Sequence, residues 1–343
     1  MKAQVIHGWG GPVTYEERPR PIPKAGEVLV AVRACGVGLT VLNYINGNLG
    51  TPDDLPRVPG HELAGVVAEV GPGVTGISVG DPVFAYFYLT CGRCDMCRAG
   101  RDSLCPQHKG YVGVHRDGGY AEFVALPEVN VLPIPEGVSF TEASAIPDAI
   151  ATPYHVCAAR AAVRPGDRVI VIGAGGGVGI HLVQMARLFG GDVVAVDVDD
   201  AKLARCLELG AAAGVNFRAR DAEAQARKAL DGGATVAVDF VGSEATLEWV
   251  FRLMRPGGRM VVLTTFPGVG LTVEPRRLVS AELTVMGSRY CGRAEAMAAA
   301  RLVRERRITP IISEIRALAD VESIHAMLRN GTLLGRGAVT PQA

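Results

Sequence analysis

Four cysteines crowd into fifteen residues of this chain: Cys91, Cys94, Cys97 and Cys105. The spacing Cys-x2-Cys-x2-Cys-x7-Cys is that of a metal-binding lobe. Four thiolates close a tetrahedral Zn2+ site and leave no open position, so the expected role of the ion is structural. The alternative is four unrelated thiols, and spacing this tight rarely arises for packing alone. The other four cysteines, Cys35, Cys157, Cys206 and Cys291, are scattered.

A second chemical element is the loop Gly173-Ala174-Gly175-Gly176-Gly177-Val178-Gly179. An apolar run, Arg168 to Ile172, precedes it, and a stretch of helical spacing, Val178 to Phe189, follows. Glycines there allow a tight turn and let backbone N–H groups approach a pyrophosphate at a helix N-terminus. The next strand, beginning at Asp192, runs to Asp197. An acidic side chain at that point accepts hydrogen bonds from an adenosine ribose and repels a 2′-phosphate, so NAD(H) is expected rather than NADP(H). The alternative is a glycine-rich turn followed by a solvated aspartate.

The elements that must position these groups change character near residue 150. Before it, short β-rich runs alternate with Gly and Pro turns: Glu27 to Arg33, Leu63 to Val70, Asp81 to Tyr86. That pattern predicts a compact β barrel or sandwich. After residue 165, strands and helices alternate. Strands are expected at Arg168–Ile172, Asp192–Val196, Ala234–Asp239, Arg259–Thr264 and Leu283–Met286. Helices are expected at Val178–Phe189, Ala201–Leu209 and Glu244–Met254. Near-continuous apolar strands separated by helices describe a parallel sheet covered on both faces. From about Ser288 a helix, a run from Ile308 to Glu314 and another helix return to the first domain.

With 343 residues, two domains are expected. Lys+Arg and Asp+Glu are 35 each, which excludes nucleic-acid binding or anionic-membrane binding driven by bulk charge. A hydrophobic share of 48% against 20% charged residues excludes a disordered chain. Neither a signal-peptide core nor a membrane-length apolar run is present, so a cytoplasmic protein is expected.

Along essentially its whole length the chain resembles the zinc-type alcohol dehydrogenases of the medium-chain dehydrogenase/reductase superfamily. The resemblance rests on Gly60-His61-Glu62, the Cys91/94/97/105 lobe, the glycine loop, Asp197 and Leu334-Gly335-Arg336-Gly337. It implies an α/β protein: a GroES-like β-rich catalytic domain over residues 1–150 and 288–343, with the zinc lobe at 91–105, and a Rossmann NAD-binding domain with a doubly wound parallel sheet over 151–287. It also implies a homodimer or homotetramer. By the same resemblance Thr152 lies near the nicotinamide, Lys202 near the adenosine ribose and Arg336 near the pyrophosphate.

The match fails at the catalytic zinc. Where the family usually carries Gly-[Val/Ile]-Cys-x-[Ser/Thr]-Asp, this chain carries Gly36-Val37-Gly38-Leu39-Thr40-Val41. Gly38 stands at the thiolate ligand, Val41 at an acidic position and Asn43 at a position often held by a relay histidine. The other positions match: His61, Asp148 in Ile146-Pro147-Asp148-Ala149, and the relay hydroxyl of Thr40. His61, Glu62 and Asp148 with water make a second, weaker zinc site of nitrogen and oxygen donors, or a residual polar group without metal.

Three functions follow. One is alcohol/carbonyl oxidoreduction, with a metal at His61/Glu62/Asp148 polarising the oxygen and Thr40 relaying the proton. Another is metal-free reduction of activated C=C bonds, as in enoyl- or acryloyl-CoA and quinone reductases, with Thr40 and Tyr44 as hydrogen-bond donors. The last is NAD binding without turnover. Phe87 matches a position that often lines the substrate pocket, and an apolar aldehyde, alcohol or enone would suit it.

Overall fold

The computed structural model describes residues 1–48, 52–263 and 268–341. It divides into two compact units, Met1–Ala151 with Cys291–Ala343, and Thr152–Tyr290. The first opens with β1 (Lys2–Val5) and β2 (Thr14–Glu17), followed by β3 (Glu27–Val37), β4 (Glu62–Val70), β5 (Pro82–Ala85), β6 (Phe123–Pro127) and β7 (Val131–Pro133). The second contains β8 (Arg168–Ile172), β9 (Asp192–Asp197), β10 (Ala213–Asn216), β11 (Ala234–Asp239), β12 (Met254–Val262) and β13 (Thr284–Gly287). The chain then returns to the first unit with β14 (Ile312–Ala317) and β15 (Arg336–Thr340).

In the first unit the sheet order is β14-β15-β3-β4-β5-β7, with β6 also paired to β3. Strand β3 is buried on both faces through Val28, Leu29, Val30, Val32, Ala34, Cys35 and Val37, as a central strand must be. Register across β15, β3 and β4 places Ala338 and Glu62 on either side of Gly36. Side chains alternate faces with a period of two, so Arg336 comes to the same face as Glu62, over the glycines of the strand between them.

The second unit is one parallel sheet in the order β10-β9-β8-β11-β12-β13. The chain winds outward from β8 to β10, then back to β11 and on to β13. This is the doubly wound order, and it reverses between β8 and β11, where α/β sheets bind ligands at their carboxyl ends. The glycine loop follows β8 and leads into the helix Gly179–Leu188.

Several elements differ from expectation. The helix expected to reach Met254 stops at Arg252, because Met254 already pairs with Ala234 at the start of β12. The irregular register between Ala234 and Val236 takes up Pro256, Gly257 and Gly258 before the regular pairing at Arg259. Thr264, the expected end of that strand, lies outside the described residues. The run expected from Ile308 is a strand only from Ile312 to Ala317. Residues 213–230, for which no element was expected, hold the edge strand β10 and the helix Ala222–Leu230. No helix among the described residues is long and apolar enough to cross a membrane.

Candidate functional site

The Cys lobe folds as a small excursion of the first unit. Its base is tied by Lys109 N–H to the Leu89 carbonyl and Leu89 N–H to the Gly110 carbonyl. The four sulfurs converge: Cys94 Sγ lies 3.5 Å from Cys97 Sγ and 3.8 Å from Cys105 Sγ, and Cys105 Sγ lies 3.6 Å from Cys91 Sγ. A tetrahedral ZnS4 centre with Zn–S of about 2.3 Å has sulfur–sulfur edges of about 3.8 Å. The donor set therefore fits zinc in both chemistry and size. Backbone N–H groups of Arg93 and Cys94 pull the half-buried Cys91 thiol down to about 6, which favours the thiolate a metal needs.

The cofactor loop of the second unit is shaped by contacts that leave no room for side chains. A Cβ on Gly179 would lie 2.1 Å from the Gly173 carbonyl oxygen, and one on Gly175 would lie 2.3 Å from Lys202 Cβ. Gly173 adopts φ +74, which glycine tolerates at no steric cost. At the end of β9, Asp197 accepts from Gly175 N–H at 2.8 Å through Oδ2 and from Val198 N–H at 2.8 Å through Oδ1. The carboxylate thus fixes the loop and still has lone pairs for two hydroxyls. Lys202 packs its stem against the loop and is buried, as is Thr152 at the start of this unit. Gly176, Gly177 and Val178 complete the turn, and His181 Nδ1 lies 2.7 Å from the Gly177 carbonyl. This cradle fits a dinucleotide pyrophosphate.

The His61–Glu62–Asp148 group is assembled in the first unit. Glu62 opens β4 with His61 just before it, and Asp148 projects from the π-helical turn Ile146–Ile150. Such turns present side chains that a regular helix would not. His61 Nε2 lies 3.5 Å from Asp148 Oδ2. One potential ligand atom from each of the three lies within 4.8 Å of the others. Arg336 completes the group. Its Nε donates to Glu62 Oε2 at 2.9 Å, its Nη2 to Glu62 Oε1 at 2.6 Å and to Asp148 Oδ2 at 3.0 Å. Glu62 Oε1 also accepts from Ala149 N–H at 3.1 Å. Burial works against the guanidinium charge, but Glu62 and then Asp148 more than offset it and hold Arg336 protonated beyond its ordinary range.

These four groups do not fit a second zinc. Both Glu62 oxygens are committed to Arg336 and Ala149, and Asp148 Oδ2 is shared with Arg336. A Cβ on Gly38, where the family carries its thiolate, would lie 2.1 Å from Arg336 Nη1 and 2.4 Å from Cζ. A fixed cation fills the ligand position. Cys35 offers no substitute: it is buried, its Sγ lies 3.7 Å from the Gly36 carbonyl, and burial pushes its thiol well up.

The remaining expected residues take distinct places. Thr40 lies in the first turn of the short helix Leu39–Ile45 that follows Gly38, and it is half-buried. Tyr44, on the same helix, is buried and donates its hydroxyl to the Val114 carbonyl at 2.8 Å. Burial raises its phenol to about 12. Its proton is thus spent on the fold, and we assign it to the wall. Phe87 lies against the His61 ring, centroids 4.6 Å apart, and stacks on Tyr111 at 4.9 Å. Tyr86 and Phe84 are core: both are buried, and the Tyr86 hydroxyl donates to the Cys291 carbonyl.

Sequence reasoning did not foresee the pairing of Arg336 with Glu62 and Asp148. The signal was Gly36-x-Gly38 at the end of β3, two glycines spaced to share one face, which marks a face kept bare for a neighbour's side chain.

Two family profiles match the chain, "Alcohol dehydrogenase GroES-like domain" over residues 24–136 and "Zinc-binding dehydrogenase" over 177–305. An alcohol dehydrogenase of Geobacillus stearothermophilus is 35% identical over 337 residues, 98% of each chain. An NAD-dependent alcohol dehydrogenase of Sulfolobus acidocaldarius is 31% identical over 344 residues, again 98% of each. The solved alcohol dehydrogenase of Aeropyrum pernix superposes with a TM-score of 0.92 at 31% identity, covering 99% of this chain and 100% of that one. The fold and the cofactor loop define an NAD-dependent oxidoreductase with a GroES-like and a Rossmann unit. The chain belongs to the zinc-type alcohol dehydrogenases of the medium-chain dehydrogenase/reductase superfamily.

Proposed function

We propose that the protein interconverts a small apolar alcohol and its aldehyde or ketone with NAD(H). The observation that carries this reading is the end-to-end match to alcohol dehydrogenases, 98% of both chains for the Geobacillus relative. Asp197, Lys202, Thr152 and the loop from Gly173 to Gly179 hold the dinucleotide, which when bound supplies or accepts the hydride. Asp197 selects the free 2′-hydroxyl over a 2′-phosphate by charge. Thr40 holds the substrate hydroxyl and relays its proton during oxidation, accepting it while passing its own hydroxyl proton on to solvent, and the relay runs backwards in the reverse direction. In this reading His61 and Asp148 supply the polar groups of the pocket, and Phe87, against the His61 ring, forms an apolar wall that favours hydrocarbon over water. The Cys91/94/97/105 zinc is structural in this reading, and no step passes through it.

A second reading is favoured by Arg336. With a guanidinium at the family's thiolate position, oxygen stabilisation falls to hydrogen-bond donors, and that suits the enolate formed when an enone, enoyl thioester or quinone is reduced. A cytoplasmic homodimer or homotetramer belongs with either reading. It is supported by a Cys cluster built for metal rather than disulfides, and by the largely exposed edge strand β13.

The deciding experiment follows NADH absorbance. Primary and secondary alcohols are offered with NAD+, and aldehydes, ketones, enones, enoyl thioesters and quinones with NADH, with NADPH as the control. Turnover of alcohols and carbonyls supports the first reading. Turnover confined to conjugated C=C substrates replaces it with the second. Saturable NADH binding with no turnover of any class refutes both in favour of a non-catalytic NAD-binding protein.

A further inference from the structure

We infer that Arg336 is the resident cation of the His61–Glu62–Asp148 group, that Gly38 is the residue that admits it, and that the wild-type group consequently takes up no divalent metal ion. The inference goes beyond the reaction proposed above and is read without substrate.

Three observations carry it. The first is space. Arg336 and Glu62 stand on β15 and β4, either side of β3, and their side chains meet across a strand whose intervening positions are bare. A Cβ on Gly36 would lie 2.6 Å from Glu62 Oε2, and one on Gly38 2.1 Å from Arg336 Nη1. Both glycines are needed for the fork to close. Neither needs glycine for its backbone: Gly38 has φ −145 and ψ 177, extended values any residue adopts, and Gly36 lies within β3. The glycines are there for the guanidinium and the carboxylate.

The second is charge. Glu62 is fully buried and Arg336 is 3% exposed. Two carboxylates within reach of one guanidinium form a compensated group in which each charge needs the others. A dication entering it would sit beside a fixed positive charge and would have to displace the bidentate fork.

The third is donor count. With Glu62 committed to Arg336 and Ala149, only His61 and Asp148 of the group are left to offer donors, short of the three protein ligands usual even for an open zinc site. Arg336 is a positioning residue here. Its Nη2 donates to Asp148 Oδ2, the oxygen that lies 3.5 Å from His61 Nε2, and so it fixes that pair.

The test is a metal count on the full-length protein. Wild type, Arg336→Gln, Arg336→Lys and Gly38→Cys/Arg336→Gln are exposed to excess Zn2+ or Co2+ and gel-filtered. Metal per chain is then measured by elemental mass spectrometry, and Co2+ absorption bands are recorded. Wild type and Arg336→Lys are expected to retain one ion per chain, in the Cys lobe. Gly38→Cys/Arg336→Gln is expected to retain two and to gain new cobalt–thiolate bands. Arg336→Gln alone is expected to bind a second Co2+ weakly, seen on titration. A purely structural role for Arg336 would move none of these counts. Two ions per wild-type chain would overturn the inference while leaving the alcohol dehydrogenase reading intact. A single ion in the double variant, with circular dichroism unchanged, would overturn it as well. If the double variant does not fold, the wild-type count and the Arg336→Gln titration decide.

Discussion

Replacing Gly38 by alanine adds one methyl group and tests the site by the sign of its effect. At an extended backbone position with open space, Gly→Ala stabilises a protein by about 0.4–1 kcal/mol, because the unfolded chain loses freedom. Here the added Cβ would lie 2.1 Å from Arg336 Nη1 and 2.4 Å from Cζ. The guanidinium has to withdraw, and its fork on Glu62 opens. Breaking a buried ion pair from one side costs about 3–5 kcal/mol, so the net expectation is a loss of about 2–4 kcal/mol. The chain has two tryptophans, Trp9 in the first unit and Trp249 in the second, so the units can be followed separately. Trp9 stands edge-on to Tyr44, ring centroids 5.2 Å apart, on the segment that includes Gly38. In a Trp249→Phe background, Trp9 fluorescence during urea unfolding reports the unit of interest. With m of about 2 kcal/mol/M, the midpoint of Gly38→Ala should fall by about 1–2 M. A midpoint that stays or rises would refute the reasoning, since it would mean that no side chain fills the space over Gly38.

Other outcomes follow from the same structure. Chelation of the lobe zinc should make Cys91, Cys94, Cys97 and Cys105 reactive towards a thiol reagent, while the buried Cys35, Cys157, Cys206 and Cys291 react only on unfolding; eight fast thiols before chelation would contradict this. Asp197→Ala removes the ribose acceptor and the anchor of Gly175, so NADH affinity measured by fluorescence should drop about tenfold or more without a matching gain for NADPH. Burial holds His325 below its ordinary value of 6.5, with Glu322 only partly offsetting this. The unfolded chain therefore binds the proton first, and stability present above pH 6.5 is lost as pH falls through the lowered folded value. His325→Gln, which does not titrate, should show a flatter fall between pH 7 and 5 in Trp9-monitored unfolding.

What could be read in advance follows the range of the interactions. The strands of the second unit announce themselves because each is a local apolar run, and Arg168–Ile172 and Ala234–Asp239 have the expected bounds. The glycine loop and the Cys lobe are also local: their ligands lie within a few residues of one another. The edge strand β10 escaped because its residues Ala213, Gly214 and Asn216 are only half-buried and carry no strong pattern. The union of Arg336 with Glu62 spans 274 residues of sequence, and only the register of β15, β3 and β4 creates it. A missing cysteine at position 38 was visible as an absence. That the space is taken by an arginine became visible only when the strands were aligned.

The first unit is discontinuous: the chain leaves it after Ala151 and re-enters at Cys291. On the ribosome Glu62 and Asp148 therefore emerge long before their counter-charge, and all of Thr152–Tyr290 is made in between. Domains generally fold as units during synthesis at about 5–20 residues per second, so the second unit has several seconds to form while the carboxylates wait in an incomplete sheet. Insertion of β15 beside β3 is then the event that both closes the sheet and neutralises the group. Until residue 336 is made, the sheet of the first unit lacks β15 beside β3 and Glu62 lacks its counter-charge.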